Sequence, residues 1–341
     1  MTNFYKLIFF NTLMLGTMIS ISSSSWMGTW MGLEINLLSF IPLISMKNNP
    51  LSSESSIKYF LVQALASSIF LFSILISMMF NYFMNDMIFI NNFLIMLMNS
   101  TLLLKMGAAP FHFWFPEIIE GLSWMNSMML MTWQKIAPMV LLSYSMKSIN
   151  MIIFIIIMST MIGSIGGLNQ INLQKILTYS SINHIGWMIS SFLYNEMIWM
   201  IYFVMYSIVL IPLILMFNNL NIFYLKQMFL IMKNKIIIKF LILFNILSLG
   251  GLPPFTGFFP KWIIIQFLSN NFMPILLFMI FMTLITLFFY LRISYSSMIL
   301  SHNEMNFNIM INKIDTNNSE MMMSFISING LILCTLIFSF I

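Results

Sequence analysis

Titratable side chains standing in apolar surroundings define the chemistry open to this chain. Glu34 lies in Trp30-Met31-Gly32-Leu33-Glu34-Ile35-Asn36-Leu37, mid-way through an apolar run. Lys105 follows Thr101-Leu102-Leu103-Leu104, Lys135 lies in Trp133-Gln134-Lys135-Ile136-Ala137-Pro138, and Lys261 follows Pro260. His184 occurs in Ser180-Ser181-Ile182-Asn183-His184, beside hydroxyls and an amide that could hold water, and His112 lies in Pro110-Phe111-His112-Phe113. A charge at membrane depth costs a few kcal/mol or more, so such residues point to an ion or proton path. One carboxylate, three lysines and a histidine buried in one bundle suggest a proton relay. Desolvation and a nearby carboxylate act in opposite senses on a lysine's proton affinity. Moving or neutralising Glu34 would therefore change Lys105, and Lys135 or Lys261 could compete for the released proton. Each residue also has a plainer reading. Glu34 could be a helix-end carboxylate reaching headgroups, the lysines could snorkel to the interface, and His184 could be a packed hydrogen-bonding residue.

Two unusual stretches position these groups. Gly250-Gly251-Leu252-Pro253-Pro254-Phe255-Thr256-Gly257-Phe258-Phe259-Pro260-Lys261-Trp262 separates apolar runs at 236–249 and 263–268. Neither run alone reaches the roughly 20 residues that cross a bilayer, but together they do. Pro253 and Pro254 lack backbone N–H groups and break a helix. Broken backbone at membrane depth is tolerated only where protein buries it or water reaches it. Residues 107–116, Gly107-Ala108-Ala109-Pro110-Phe111-His112-Phe113-Trp114-Phe115-Pro116, share with 251–260 the pattern G-x-x-P-F-x-x-x-F-P. A lysine attends each break, on opposite sides. Paired interruptions at matching places in two halves point to a transporter site; the alternative is two unrelated loops at a membrane edge. His112 and Glu117 flank the first break, and Glu120 is expected at the membrane surface.

Composition excludes most other classes. With 60% hydrophobic and 7% charged residues in 341, and a mean hydropathy of +0.95, the chain is a polytopic membrane protein. A net charge of +5 spread thinly is no nucleic-acid footprint. The single cysteine, Cys334, leaves no disulfide framework and no cysteine-ligated cluster within the chain. His112, His184 and His302 are too far apart in sequence for a metal pair at helical spacing, and no glycine-rich nucleotide loop is present. The 38 methionines exceed any packing need and read as A/T-rich coding bias, as in an organelle genome. The apolar run 7–19 is expected to be a retained helix rather than a cleaved signal.

Eleven spans are predicted: 4–22, 26–45, 57–80, 87–119 (broken), 122–146, 150–168, 174–193, 197–217, 236–268 (broken), 273–299 and 322–341, joined by polar connections at 46–56, 218–235 and 300–321. With the N-terminus on one face, Lys6, Lys47, Lys58, Lys175, Lys226, Lys233, Lys235, Lys239 and Lys313 fall at or near that face, and only Lys147 on the other. The positive-inside rule makes the lysine-rich face cytoplasm-like or matrix. The broken spans, fourth and ninth, lie five helices apart. Two five-helix units of opposite orientation, 1–146 and 150–299, would each carry one, with 322–341 an added helix, all in a single membrane domain 1–341. Gly163 and Gly167 form a G-x-x-x-G that favours helix packing, and Arg292, near Tyr290 and Tyr295, reads as an interfacial anchor.

Several stretches together resemble the chain 2 family of NADH–ubiquinone oxidoreductase, antiporter-like subunits of mitochondrial respiratory complex I, in their insect form. They are Trp26-Met27-Gly28-x-Trp30-x-Gly32-Leu33-Glu34, Leu104-Lys105-x-Gly107-Ala108-Ala109-Pro110-Phe111-His112-x-Trp114-x-Pro116-Glu117, Trp133-Gln134-Lys135-x-Ala137-Pro138, Tyr179-Ser180-Ser181-Ile182-Asn183-His184 and the stretch 250–262. The resemblance covers nearly the whole chain. It implies an all-α fold of two inverted five-helix repeats with broken helices, and eleven helices where bacterial relatives have three more at the N-terminus. It implies that Glu34 controls conduction, Lys105 is its paired lysine, Lys135 the central bridging lysine and Lys261 the lysine of the second broken helix, with His112 and His184 on the polar axis. It implies no cofactor in this chain; FMN, iron–sulfur clusters and ubiquinone would be bound by other subunits. The expected partners are other complex I subunits, especially neighbouring antiporter-like and small membrane-arm subunits, together with phospholipid. The expected location is the mitochondrial inner membrane, N-terminus in the matrix and C-terminus in the intermembrane space. Proton translocation coupled to electron transfer elsewhere is the leading function; a stand-alone cation/proton antiporter and a non-pumping structural subunit are the alternatives.

Overall fold

The computed structural model describes residues 2–45, 49–83, 88–145, 148–234 and 236–299, and residues 322, 324, 325, 327, 328 and 330. Among the described residues the regular structure is all helical, apart from one isolated antiparallel bridge between Asn172 and Tyr224. Fourteen α-helices are described: α1 (Thr2–Ser22), α2 (Trp26–Ile44), α3 (Pro50–Phe83), α4 (Ile88–Met106), α5 (Trp114–Glu120), α6 (Trp124–Met131), α7 (Trp133–Ser145), α8 (Ile149–Ile165), α9 (Leu173–Ser190), α10 (Glu196–Leu220), α11 (Leu225–Asn234), α12 (Ile236–Gly250), α13 (Phe258–Leu268) and α14 (Met273–Ile299). The start signals are local. Ser25, Asn172 and Asn195 accept from backbone N–H groups at the starts of α2, α9 and α10. Asn221 ends α10 in the left-handed region.

Among the described residues, five helices are long and apolar enough to cross a membrane: Phe4–Ser22, Trp26–Ile44, Pro50–Met79, Glu196–Leu220 and Met273–Met298. Shorter apolar helices cover Asn92–Met106, Ile149–Ile165, Ile237–Gly250 and Phe258–Leu268. Their outward faces carry large apolar side chains such as Phe72, Phe154, Phe281 and Phe288, as a lipid-facing surface requires.

Three features differ from expectation. Helix α3 starts at Pro50 rather than 57, because proline is well placed in a first turn. The connection 218–235 contains α11, whose apolar residues gather on one face. The expected span 122–146 is divided at Thr132 into α6 and α7. Pro138 cannot donate to the carbonyl four residues back, and the turn tightens there, with Lys135 N–H donating to Thr132 O (3.2 Å). Most of the expected span 322–341 lies outside the described residues, as do Lys47, Lys147, Lys235, Lys313, His302 and Cys334.

The chain divides into two compact units, Met1–Ile155 and Ile156–Ile341. In the first, α1 lies close along α2, since a Cβ on Gly16 or Gly32 would stand 2.9 Å from Asn36 N or 2.5 Å from Ser20 N. Helix α3 packs on α2, α4 and α5, and α4 packs on α7. Two hydrogen bonds lock that last pair. Ser145 Oγ donates to Asn99 Oδ1 (2.5 Å) and Asn99 Nδ2 to the Ser145 carbonyl (3.4 Å). In the second unit, α12 packs on α10 and α14, and α13 on α9, α10 and α14. Gly163 lets its helix approach α9, because a Cβ there would lie 2.5 Å from Asn183 N. Arg292 donates to the Leu168 carbonyl (2.7 Å), so this anchor ties α14 to the chain after α8.

Candidate functional site

In the first unit the break follows from glycine chemistry. Gly107 has φ 73°, a left-handed conformation that glycine adopts without strain. Gly107 N–H donates to Leu104 O (3.1 Å) and Ala108 N–H to Leu103 O (3.0 Å), the paired bonds that close a helix C-terminus. Two neutral side chains add to this: Trp114 Nε1 gives Leu104 O a second bond (3.1 Å), and Gln63 Nε2 donates to a further carbonyl, Lys105 O (3.4 Å). Satisfying these groups is what allows backbone to stop and restart in an apolar bundle.

Lys105, in the last turn of α4, is 8% exposed, and snorkelling to a surface is therefore not what this side chain does. It lines a cavity of about 20 Å³ with Leu33, Asn36, Leu37, Tyr59, Gln63, Gln134 and Pro138. That volume holds about one water molecule, and the amides, phenol and ammonium supply the polar partners a water needs. Glu34 is half-buried on α2, one helical turn before Leu37, and near enough to act on Lys105 electrostatically. Gln134 Nε2 donates to Asn36 Oδ1 (3.0 Å), joining the helix of Glu34 to the helix of Lys135. Lys135 is 1% exposed, with Nζ 5.3 Å from the centroid of the Phe115 ring, a cation–π contact. The first unit thus gathers Glu34, Lys105 and Lys135 around one set of polar contacts.

His112 stands apart from that cavity. Its Nδ1 donates to the Pro110 carbonyl (3.2 Å) and its ring lies against Phe113, so it braces the break. Glu117 faces outward and pairs with Lys58 (3.2 Å), which also pairs with Glu54 (3.0 Å).

The second break starts the same way, with Gly251 at φ 81° and its N–H donating to Ser248 O (3.0 Å). Here the lysine returns across the break. Lys261, 6% exposed, donates from Nζ to the Gly250 carbonyl (2.9 Å), placing a positive charge at the C-terminal end of α12 where the helix dipole favours it. Gly251 leaves room for this, since a Cβ would stand 3.0 Å from Lys261 Nζ. Gly257 lies so close to the Ser248 carbonyl that a Cβ there has no space. A cavity of about 10 Å³ beside the break is lined by His184, Tyr202, Tyr206, Ser248, Gly257 and Pro260 among others. The second unit thus sets His184 against the second break, one residue from Lys261.

Comparison with known proteins now decides the family. A family model described as NADH:quinone oxidoreductase/Mrp antiporter, TM, matches residues 23–288. NADH-ubiquinone oxidoreductase chain 2 of Anopheles gambiae is 52% identical over 334 residues, covering 97% of each chain. The chain belongs to the NADH-ubiquinone oxidoreductase chain 2 family. That of Locusta migratoria is 47% identical over 336 residues, covering 98% of this chain and 96% of the relative. A chain of respiratory complex I from Thermus thermophilus shares the fold with TM-score 0.78 and 21% identity, over 86% of this chain and 70% of its own. A chain of the Mrp complex from Dietzia does so with TM-score 0.71 and 15% identity, over 83% of this chain and 58% of its own. The family's fold is therefore antiporter-like and helical.

Sequence reasoning missed the neutral half of the site. Gln63, in Leu61-Val62-Gln63-Ala64-Leu65, is an amide in an apolar run, and attention to charged residues alone passes over it. Tyr202 and Tyr206 stand four apart on α10, which puts both on one helix face.

Proposed function

We propose that this chain is a proton-translocating, antiporter-like core subunit of respiratory complex I, linking NADH-to-ubiquinone electron transfer in other subunits to proton movement across the mitochondrial inner membrane. The observation that carries this reading is the convergence in the first unit. One buried lysine, Lys105, lines a polar, water-sized cavity with Asn36 and Gln134, whose near neighbours in sequence are a half-buried carboxylate, Glu34, and a second buried lysine, Lys135, in a sequence otherwise fit for lipid. Glu34 sets the charge beside Lys105. Lys105 takes or gives a proton through the cavity, and Lys135 is the next acceptor. Lys261 and His184 carry the same task at the second break, and His112 serves by holding the first break in shape.

The finer architecture in this reading is eleven spans in two inverted five-helix repeats, 1–146 and 150–299, with 322–341 added. The N-terminus lies in the matrix and the C-terminus in the intermembrane space. The matching patterns at 107–116 and 251–260, each with a left-handed glycine ending a helix, support it. FMN, iron–sulfur clusters and ubiquinone belong to other subunits, and the partners are neighbouring antiporter-like and small membrane-arm subunits with phospholipid.

The test is Lys135→Met in the assembled complex, measuring protons moved per NADH oxidised in sealed vesicles. A reduced ratio with assembly intact is expected. An unchanged ratio would give way to the structural-subunit reading. A fold shared with the Mrp complex chain also accommodates a stand-alone antiporter, which would migrate as a small oligomer rather than within a very large assembly.

A further inference from the structure

His184 on α9 and Tyr202 on α10 are 6% and 1% exposed, with His184 Nδ1 and the Tyr202 hydroxyl oxygen 2.8 Å apart. Chemically, either atom could hold the proton between them. A buried O–H requires an acceptor, and among the described residues Nδ1 is the only hydrogen-bond partner of the Tyr202 hydroxyl. With a proton on Nδ1 the hydroxyl hydrogen would have no acceptor among the described residues. With Tyr202 donating, both atoms are satisfied and the neutral imidazole carries its hydrogen on Nε2.

We propose that Tyr202 is a positioning residue that fixes His184 as the Nε2–H tautomer, so that protons enter and leave this histidine at Nε2 alone. The hydrogen bond made by one ring nitrogen sets the role of the other. Tyr206, one turn along α10, limits rotation of the ring, its centroid 5.0 Å from that of His184 with the planes at 45°. The same cavity reaches Ser248, Gly257 and Pro260 of the second break. Lys261, the charged group of that break, is hydrogen-bonded back to Gly250. Tyr202 was invisible in sequence because its relevance comes only from the packing of α10 on α9. The inference rests on the reading of His184 as a member of the proton path.

The full chain with isotope-labelled histidine, reconstituted in lipid, reports the tautomer by solid-state nitrogen NMR. The His184 signal is identified by its loss in His184→Gln. A protonated Nε2 and an accepting Nδ1 are expected, with Nδ1–H signal gained in Tyr202→Phe. An Nδ1–H form in the unsubstituted chain overturns the proposal, whatever the folding of any variant. In the assembled complex, Tyr202→Phe is expected to slow proton translocation about tenfold, and His184→Gln at least as much. Loss in His184→Gln but not in Tyr202→Phe overturns the positioning role alone. No loss in His184→Gln removes the reading of His184 as a proton carrier, and this inference with it.

Discussion

The two breaks share a sequence pattern and a left-handed glycine, yet they use their lysines differently. At 107–116 the exposed helix end is closed by neutral donors, the Trp114 indole and the Gln63 amide, and the ammonium of Lys105 lines a cavity of amides. At 251–260 the helix end is closed by the ammonium itself, Lys261 bonding to Gly250. In the shared register Glu117 stands where Lys261 stands, and Glu117 faces outward to Lys58. A charge placed before a break lies beside the last turn's own side-chain neighbours. A charge placed after it can reach back to the carbonyls the break exposes. The position of one residue relative to a glycine separates a lysine that lines a cavity from one that also closes the helix end.

The sharpest test of this contrast is Gly257→Ala. A Cβ there meets backbone, the Ser248 carbonyl, which cannot move aside cheaply. A loss of about 3 kcal/mol or more is expected, seen as failure to recover folded chain.

Next comes the pair of lysines. Lys261→Met leaves the Gly250 carbonyl without its donor and should lower stability by about 1–3 kcal/mol in thermal denaturation. Lys105→Met removes a desolvated charge that closes no helix end, and should cost less stability than Lys261→Met while reducing proton translocation. Equal destabilisation by both would break the comparison.

Third, alanine at either left-handed glycine should cost roughly 1–2 kcal/mol of strain. Gly107→Ala should be the worse, because its Cβ meets Phe115 Cβ and ring carbon at 3.0 Å, whereas Gly251→Ala meets the mobile end of Lys261. Urea titration of the two variants ranks them.

Trp114→Phe should cost about 1 kcal/mol through the lost indole donor, read the same way. The smallest effect belongs to Phe113→Ala, the counterpart of Gly257 in the shared register. Phe113 is 74% exposed, and the change should stay within about 0.5 kcal/mol.

Much of this protein was legible in one dimension. A hydrophobic content of 60% dictates a membrane protein. Glycine and proline dictate where helices must stop, since left-handed φ and missing N–H groups are properties of single residues. Charges inside apolar runs mark Glu34, Lys105, Lys135 and Lys261 as expensive to bury and hence as candidates. Other features depend on which helices meet. Gln63, Asn36 and Gln134 join the site only because α2, α3, α4 and α7 converge. Tyr202 matters only because α10 sets it against His184. The contacts of Lys105 and Lys261, alike in sequence, diverge only once the chain folds back. Side-chain type fixes what a residue can donate or accept. Which partner stands 2.9 Å from Lys261 is decided by packing across eleven residues of chain that turn through a break.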